Sequence, residues 1–133
     1  MKRSLFFLIT AILALLFGGL MFLSPPGAAS AFGLEQSAAT DVVFRILGGT
    51  LLALALLNFL VRNHADSETL AAVLWANVAT HGLGLIADIT AVVAGPLKPS
   101  AIVLGVIVHL FVGIGSLIYA TRMRAMPAMR TSG

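Results

Sequence analysis

Among 133 residues there are three histidines, five acidic residues and no cysteine, so the groups able to do chemistry are few and their spacing is informative. Asn77, His81, Gly84, Asp88, Ala91 and Gly95 follow one another at steps of 4, 3, 4, 3 and 4. On an α-helix that rhythm places them along one face, in a seam that continues back through Leu74 and Leu70. The seam carries an amide, an imidazole and a carboxylate. Ala101, Gly105, His109 and Gly113 recur at steps of four, a ridge of small residues with one histidine set into it. Imidazole and carboxylate together can hold a polar ligand, relay a proton or ligate a tetrapyrrole iron. The candidate ligand-binding residues are His81, His109, Asp88 and Asn77.

The elements that must carry these residues are membrane helices. The chain is 59% hydrophobic and 10% charged, with a mean hydropathy of +1.06, whereas a soluble domain carries about 25% charged residues. A crossing needs about 20 mostly apolar residues, and four such runs are present, about 4–23, 42–61, 69–94 and 100–120. Ser24-Pro25-Pro26-Gly27 ends the first, since prolines cannot continue a helix. Asp66-Ser67-Glu68 supplies a capping residue and a first-turn acid for the third, and Pro99-Ser100 opens the fourth. The expected fold is a single all-α transmembrane domain, a four-helix bundle running up-down-up-down.

Lys2, Arg3, Arg62, Arg122, Arg124 and Arg130 fall on one side of such a bundle, and Lys98 and Arg45 on or near the other. Positive residues accumulate on the cytoplasmic side, so both termini are expected there, with 28–40 and 95–99 outside. The basic residues are dispersed and lack interleaved aromatics, which argues against nucleic-acid binding and for the lipid bilayer as the charged partner. Lys2-Arg3, the first apolar run and Ala29-Ser30-Ala31 imitate a cleavable secretory signal. The run is longer than a usual signal core, so the first span is expected to be retained.

Within the bilayer, polar side chains tend to face the bundle interior and to find partners there. Asp41 and Arg45 stand one helical turn apart near the outer surface, and Arg45 could equally pair with Asp88, holding the second and third spans together. His109 falls between Asp88 and His81 in depth and could reach either. His81 is expected to bond to Asn77, Asp88 or a backbone carbonyl, and Asn58 sits near the inner end of its span. Gly48, Gly84, Gly105 and Gly113 are expected helix-packing positions. Gly105-x-x-x-His109 also leaves space one turn from an imidazole, as a flat macrocycle on a helix would need, and His81 with His109 could be read as two axial haem ligands. Without cysteine there are no thiolate metal sites, iron–sulfur ligands or disulfides. No hydrolase, zincin or phosphate-loop motif is present, and no metal site or catalytic residue is assigned.

Phe44-Arg45-Ile46-Leu47-Gly48-Gly49, then Leu57-Asn58-Phe59-Leu60-Val61-Arg62-Asn63, then Asn77-x-x-x-His81-Gly82-Leu83-Gly84 resemble a group of small four-span bacterial inner-membrane proteins, broadly DoxX-like. The Pro-terminated first span and the histidine in the fourth extend the likeness over most of the chain. The resemblance implies interior roles for Arg45, Asn58, His81 and His109, and service to membrane redox assemblies as an accessory subunit. Three functions follow as expectations. The first is a non-catalytic accessory or assembly subunit docked against other membrane subunits or against its own copies. The second is a binder of a lipophilic cofactor of quinone or tetrapyrrole type through His81, His109 and Asp88. The third is a small proton-linked transporter.

Overall fold

A computed structural model describes residues 1–130, with side chains described as far as Met123. The described residues form five helices: α1 Arg3–Leu23, α2 Pro25–Phe32, α3 Ala38–Val61, α4 Glu68–Val93 and α5 Pro99–Arg130. Among the described residues there are no strands. Four of the helices are long and apolar enough to cross a bilayer, with windows of mean hydropathy 2.6, 2.0, 1.6 and 2.5 in chain order.

Helix boundaries follow local chemistry. Ser24, at φ −133° and ψ 64°, breaks α1 because the residue before a proline is pushed away from helical geometry. The same prolines then open α2, where a missing N–H costs nothing and φ is preset. The expected outer loop over 28–40 is thus partly helical, a correction whose signal was Pro25-Pro26 read as a stop alone. Gly33 closes α2 at φ 68°, and the Leu34 N–H returns to the Ala29 carbonyl at 2.9 Å, a Schellman closure that favours glycine. α3 begins about a turn ahead of its apolar run because the Ser37 hydroxyl accepts the Thr40 N–H at 3.1 Å. Ser67 caps α4 likewise, accepting from the Leu70 N–H at 3.2 Å. α5 runs past the expected limit at Ala120, since polar residues leaving the hydrocarbon need not end a helix. The Arg124 and Arg130 side chains, used above for orientation, lie outside the described residues.

The helices pack as two pairs, α1 on α3 and α4 on α5. Glycine permits the first close approach. A Cβ at Gly48 would stand 2.6 Å from the Phe22 nitrogen and 2.8 Å from the Gly18 oxygen, so the two backbones touch there. The two ends differ in how the pairs meet. At one end Phe6 and Phe7 of α1 meet Leu70, Leu74 and Val112, Arg3 pairs with Asp66, and the Tyr119 hydroxyl donates to the Met1 carbonyl at 2.6 Å. At the other, Ala28 and Ala29 of α2 pack with Met21 and Phe44 within the first pair, and α2 lies against α5. The outside of the bundle is studded with exposed apolar residues, including Leu16, Val43, Ile46, Leu83, Ile86 and Val93. On a water-soluble protein so much exposed apolar surface would drive aggregation; on a multi-pass membrane protein it meets lipid.

Candidate functional site

Between the two end cores lies an internal cavity of about 370 Å³. Its two walls differ. α1 and α3 contribute mainly apolar side chains, among them Phe17, Leu51 and Leu54, while α4 and α5 contribute Asn77, His81, Asp88 and His109. The seam of α4 and the small-residue ridge of α5 therefore face one another and the cavity together.

Their contact is reciprocal. The His109 ring lies over Gly84, where a Cβ would stand 2.7 Å from Nε2 and 3.0 Å from Nδ1. Asp88 projects onto Gly105, its Oδ2 3.0 Å from where a Cβ would be, and His81 lies against Gly113, its Cβ 3.5 Å from the same construction. Each polar side chain of one helix uses the space left by a glycine of the other. The result is a line of three groups. His81 Nδ1 and His109 Nδ1 stand 3.0 Å apart, so one imidazole donates and the other accepts. His109 Nε2 lies 3.7 Å from Asp88 Oδ2, within ion-pair reach but longer than a direct hydrogen bond. His109 thus reaches both of the partners open to it from depth alone.

Asn77 is not part of this line. It is 2% exposed and its Nδ2 donates to Asn58 Oδ1 at 2.7 Å. The Asn58 Nδ2 donates to the Leu54 carbonyl at 2.8 Å and, at 3.4 Å, to Asn77 Oδ1. This amide pair ties α3 to α4 below the imidazoles. Sequence reasoning placed both residues inside the bundle but did not pair them; the available signal was that they are the amides within the two spans that flank one short turn.

Arg45 behaves differently from expectation. Its guanidinium donates to the Phe22 carbonyl at 3.1 Å, capping the end of α1 rather than meeting Asp88. Nor does it meet Asp41, whose Oδ1 has no hydrogen-bond partner among the described residues. A carbonyl at a helix C-terminus attracts a cation, and helix α1 supplied one nearby. Gly18, unremarked in the sequence, is the partner of Gly48 in the α1–α3 contact.

The arrangement also decides what can be held. A tetrapyrrole does not fit: the space beside His109 that Gly105 leaves is filled by Asp88, and ring nitrogens 3.0 Å apart have no room for iron between them. The polar side chains of α4 and α5 instead face a chamber whose opposite wall is mainly apolar. Comparison of the chain with known protein families, with curated proteins and with solved structures finds no match.

Proposed function

We propose that the protein binds a small lipophilic molecule of quinone type inside the membrane, with its polar head against His81, His109 and Asp88. The observation that carries this reading is the cavity itself. Its volume of about 370 Å³ lies at the lower end of the range for ligand sites, and an apolar enclosure with a few convergent polar groups is their usual form. His109 sits at the centre of the line: either imidazole can donate or accept, so a carbonyl or hydroxyl head finds a partner in either protonation pattern. The cluster of Phe6, Phe7, Leu70 and Leu74 closes one end of the interior, which favours a binding chamber over a path through the membrane, and so over a transporter.

On this proposal the chain is a DoxX-like bundle serving a larger membrane redox assembly as an accessory subunit, without catalytic residues of its own. Arg3, the 62–67 turn and Tyr119 share one end, where the basic residues gather. By the positive-inside rule that end faces the cytoplasm of a bacterial inner membrane, the spans alternate in direction and both termini lie inside. The testing experiment is native mass spectrometry of the protein released from its own membrane in mild detergent. A fixed added mass of a lipophilic compound, lost in His109→Leu while the fold survives, is expected; full occupancy in that variant refutes the role of the imidazole.

A further inference from the structure

The two pairs of helices are not closed equally along their length. α3 and α4 follow one another in the chain, yet their backbones do not pack together along the bundle as α1 and α3 or α4 and α5 do. They meet at the end near the 62–67 turn, through the Asn58–Asn77 pair and through Val61 against the cluster containing Leu70 and Leu74. Away from that end, among the described residues, α3 and α4 share no comparable core or side-chain hydrogen bond. Of the described residues that line the cavity, all are buried or half-buried except Leu47 of α3 and Ala87 of α4. Leu47 is 43% exposed. At about 1.5 Å per residue, Leu47 lies roughly 14 Å from the Ala38 end of α3 and Ala87 roughly 9 Å from the Val93 end of α4. Both stand within the long apolar spans, away from the helix ends. The residues around them, Val43 and Ile46 on α3 with Leu83 and Ile86 on α4, are exposed and apolar.

From this we infer that the cavity opens sideways to the lipid between Leu47 and Ala87, and that its ligand is a long-chain amphiphile with a small uncharged head. The inference rests on the reading of the site given above and deepens it. A lateral opening rimmed by Val43, Ile46, Leu83 and Ile86 admits an alkyl or isoprenoid chain and rejects a water-borne solute, which would have to shed its hydration in hydrocarbon to reach it. The cavity is large enough for a ring and a few chain atoms, so the remainder of a long chain lies in the bilayer. The nature of the head follows from what lines the chamber. Among the described lining residues there is no Lys or Arg; Arg45 is committed to the Phe22 carbonyl. A phosphate or carboxylate head has no Lys or Arg to meet there. A carbonyl, hydroxyl or amide finds donors and acceptors on His81, His109 and Asp88.

The test uses the full chain in phosphatidylcholine liposomes and two photoprobes with one 1,4-benzoquinone head. The first carries a decyl chain with a diazirine midway along it; the second carries a diazirine on a methyl-sized substituent. Cross-linked peptides are mapped by mass spectrometry. The decyl probe is expected to label 43–47 and 83–87, and Ala87→Trp or Leu47→Trp to lower that labelling at least tenfold. Ile12→Trp, on the lipid-facing side of α1, leaves it unchanged. Thermal unfolding in detergent confirms that each variant is folded, and position 87, being exposed, accepts a large side chain. Labelling unaffected by both portal variants, or equal occupancy by the methyl-sized probe added from water, overturns the lateral opening. Loss of labelling in the portal variants with His109→Leu labelled normally keeps the opening and overturns the head-group site. The reverse pattern keeps the site and overturns the opening. Absence of labelling by either probe overturns both.

Discussion

Two glycines on the same turn of α4 put the site geometry to a quantitative test. At Gly84 a Cβ would stand 2.7 Å from His109 Nε2 and 3.0 Å from Nδ1, whereas at Gly82 it would meet nothing within 4 Å. Ordinary carbon contacts lie near 3.5 Å, so Gly84→Ala must push the His109 ring away from α4 by about 0.5–1 Å. Both partners of that ring, His81 and Asp88, are on α4, so the 3.0 Å imidazole contact opens beyond hydrogen-bond range. Overpacking costs about 1–3 kcal/mol, partly offset by the roughly 0.5–1 kcal/mol that alanine gains over glycine in a helix. Net destabilisation of about 1–2 kcal/mol is expected for Gly84→Ala, against a gain of up to about 1 kcal/mol for Gly82→Ala. The assay is reversible unfolding in mixed micelles, with ligand occupancy read in parallel by native mass spectrometry. Gly84→Ala should also lose ligand, because the donor has moved; Gly82→Ala should keep it. Adding His109→Ala to Gly84→Ala removes the clash and should restore stability without restoring ligand. Equal stability of the two single alanine variants would refute the contact between His109 and Gly84 and the line of groups built on it.

Three further outcomes follow from other contacts. Asn58→Leu strands both polar ends of Asn77, while Asn77→Leu leaves the Asn58 amide its bond to the Leu54 carbonyl. With about 1 kcal/mol per stranded buried group, Asn58→Leu should cost about twice as much, and the double variant less than the sum; a double-mutant cycle in micelles showing no coupling contradicts the pairing. Gly48→Ala meets backbone atoms of Phe22 and Gly18, which cannot yield as a side chain can, while Gly49→Ala meets only the Phe22 ring at 3.8 Å. Unfolding should show Gly48→Ala to be the more harmful by about 2 kcal/mol, and parity would remove the close α1–α3 approach. Finally, the chain has no cysteine of its own, so Arg62→Cys and Lys98→Cys can be labelled singly in intact cells with a membrane-impermeant thiol reagent. Labelling of the second and protection of the first is expected, and the opposite pattern inverts the orientation.

The sequence by itself determined the class of the fold and the faces of its helices, because both depend on local composition and on the 3.6-residue period. Runs long and apolar enough to span a bilayer announce themselves whatever they pack against, and the 4, 3, 4, 3 spacing of Asn77, His81, Gly84 and Asp88 needs only one helix to be read. The serine cap at Ser67 and the proline at the start of α5 act on their own first turns and were legible for the same reason. Pro25-Pro26 was half legible, since one local rule ends a helix and another begins the next.

What only the tertiary structure decided was partnership. Arg45 had Asp41 one turn away and Asp88 across the bundle, yet it caps the Phe22 carbonyl, because the Gly18–Gly48 contact brings the end of α1 against α3. His109 had two partners within reach by depth and takes both, because Gly84, Gly105 and Gly113 fix the rotation and register of α5 on α4. The pairing of Asn58 with Asn77, the chamber above them and its opening between Leu47 and Ala87 depend on how far apart two neighbouring helices stand. That distance is set by side-chain packing between elements remote in the chain, a quantity that no single helix carries in its own spacing.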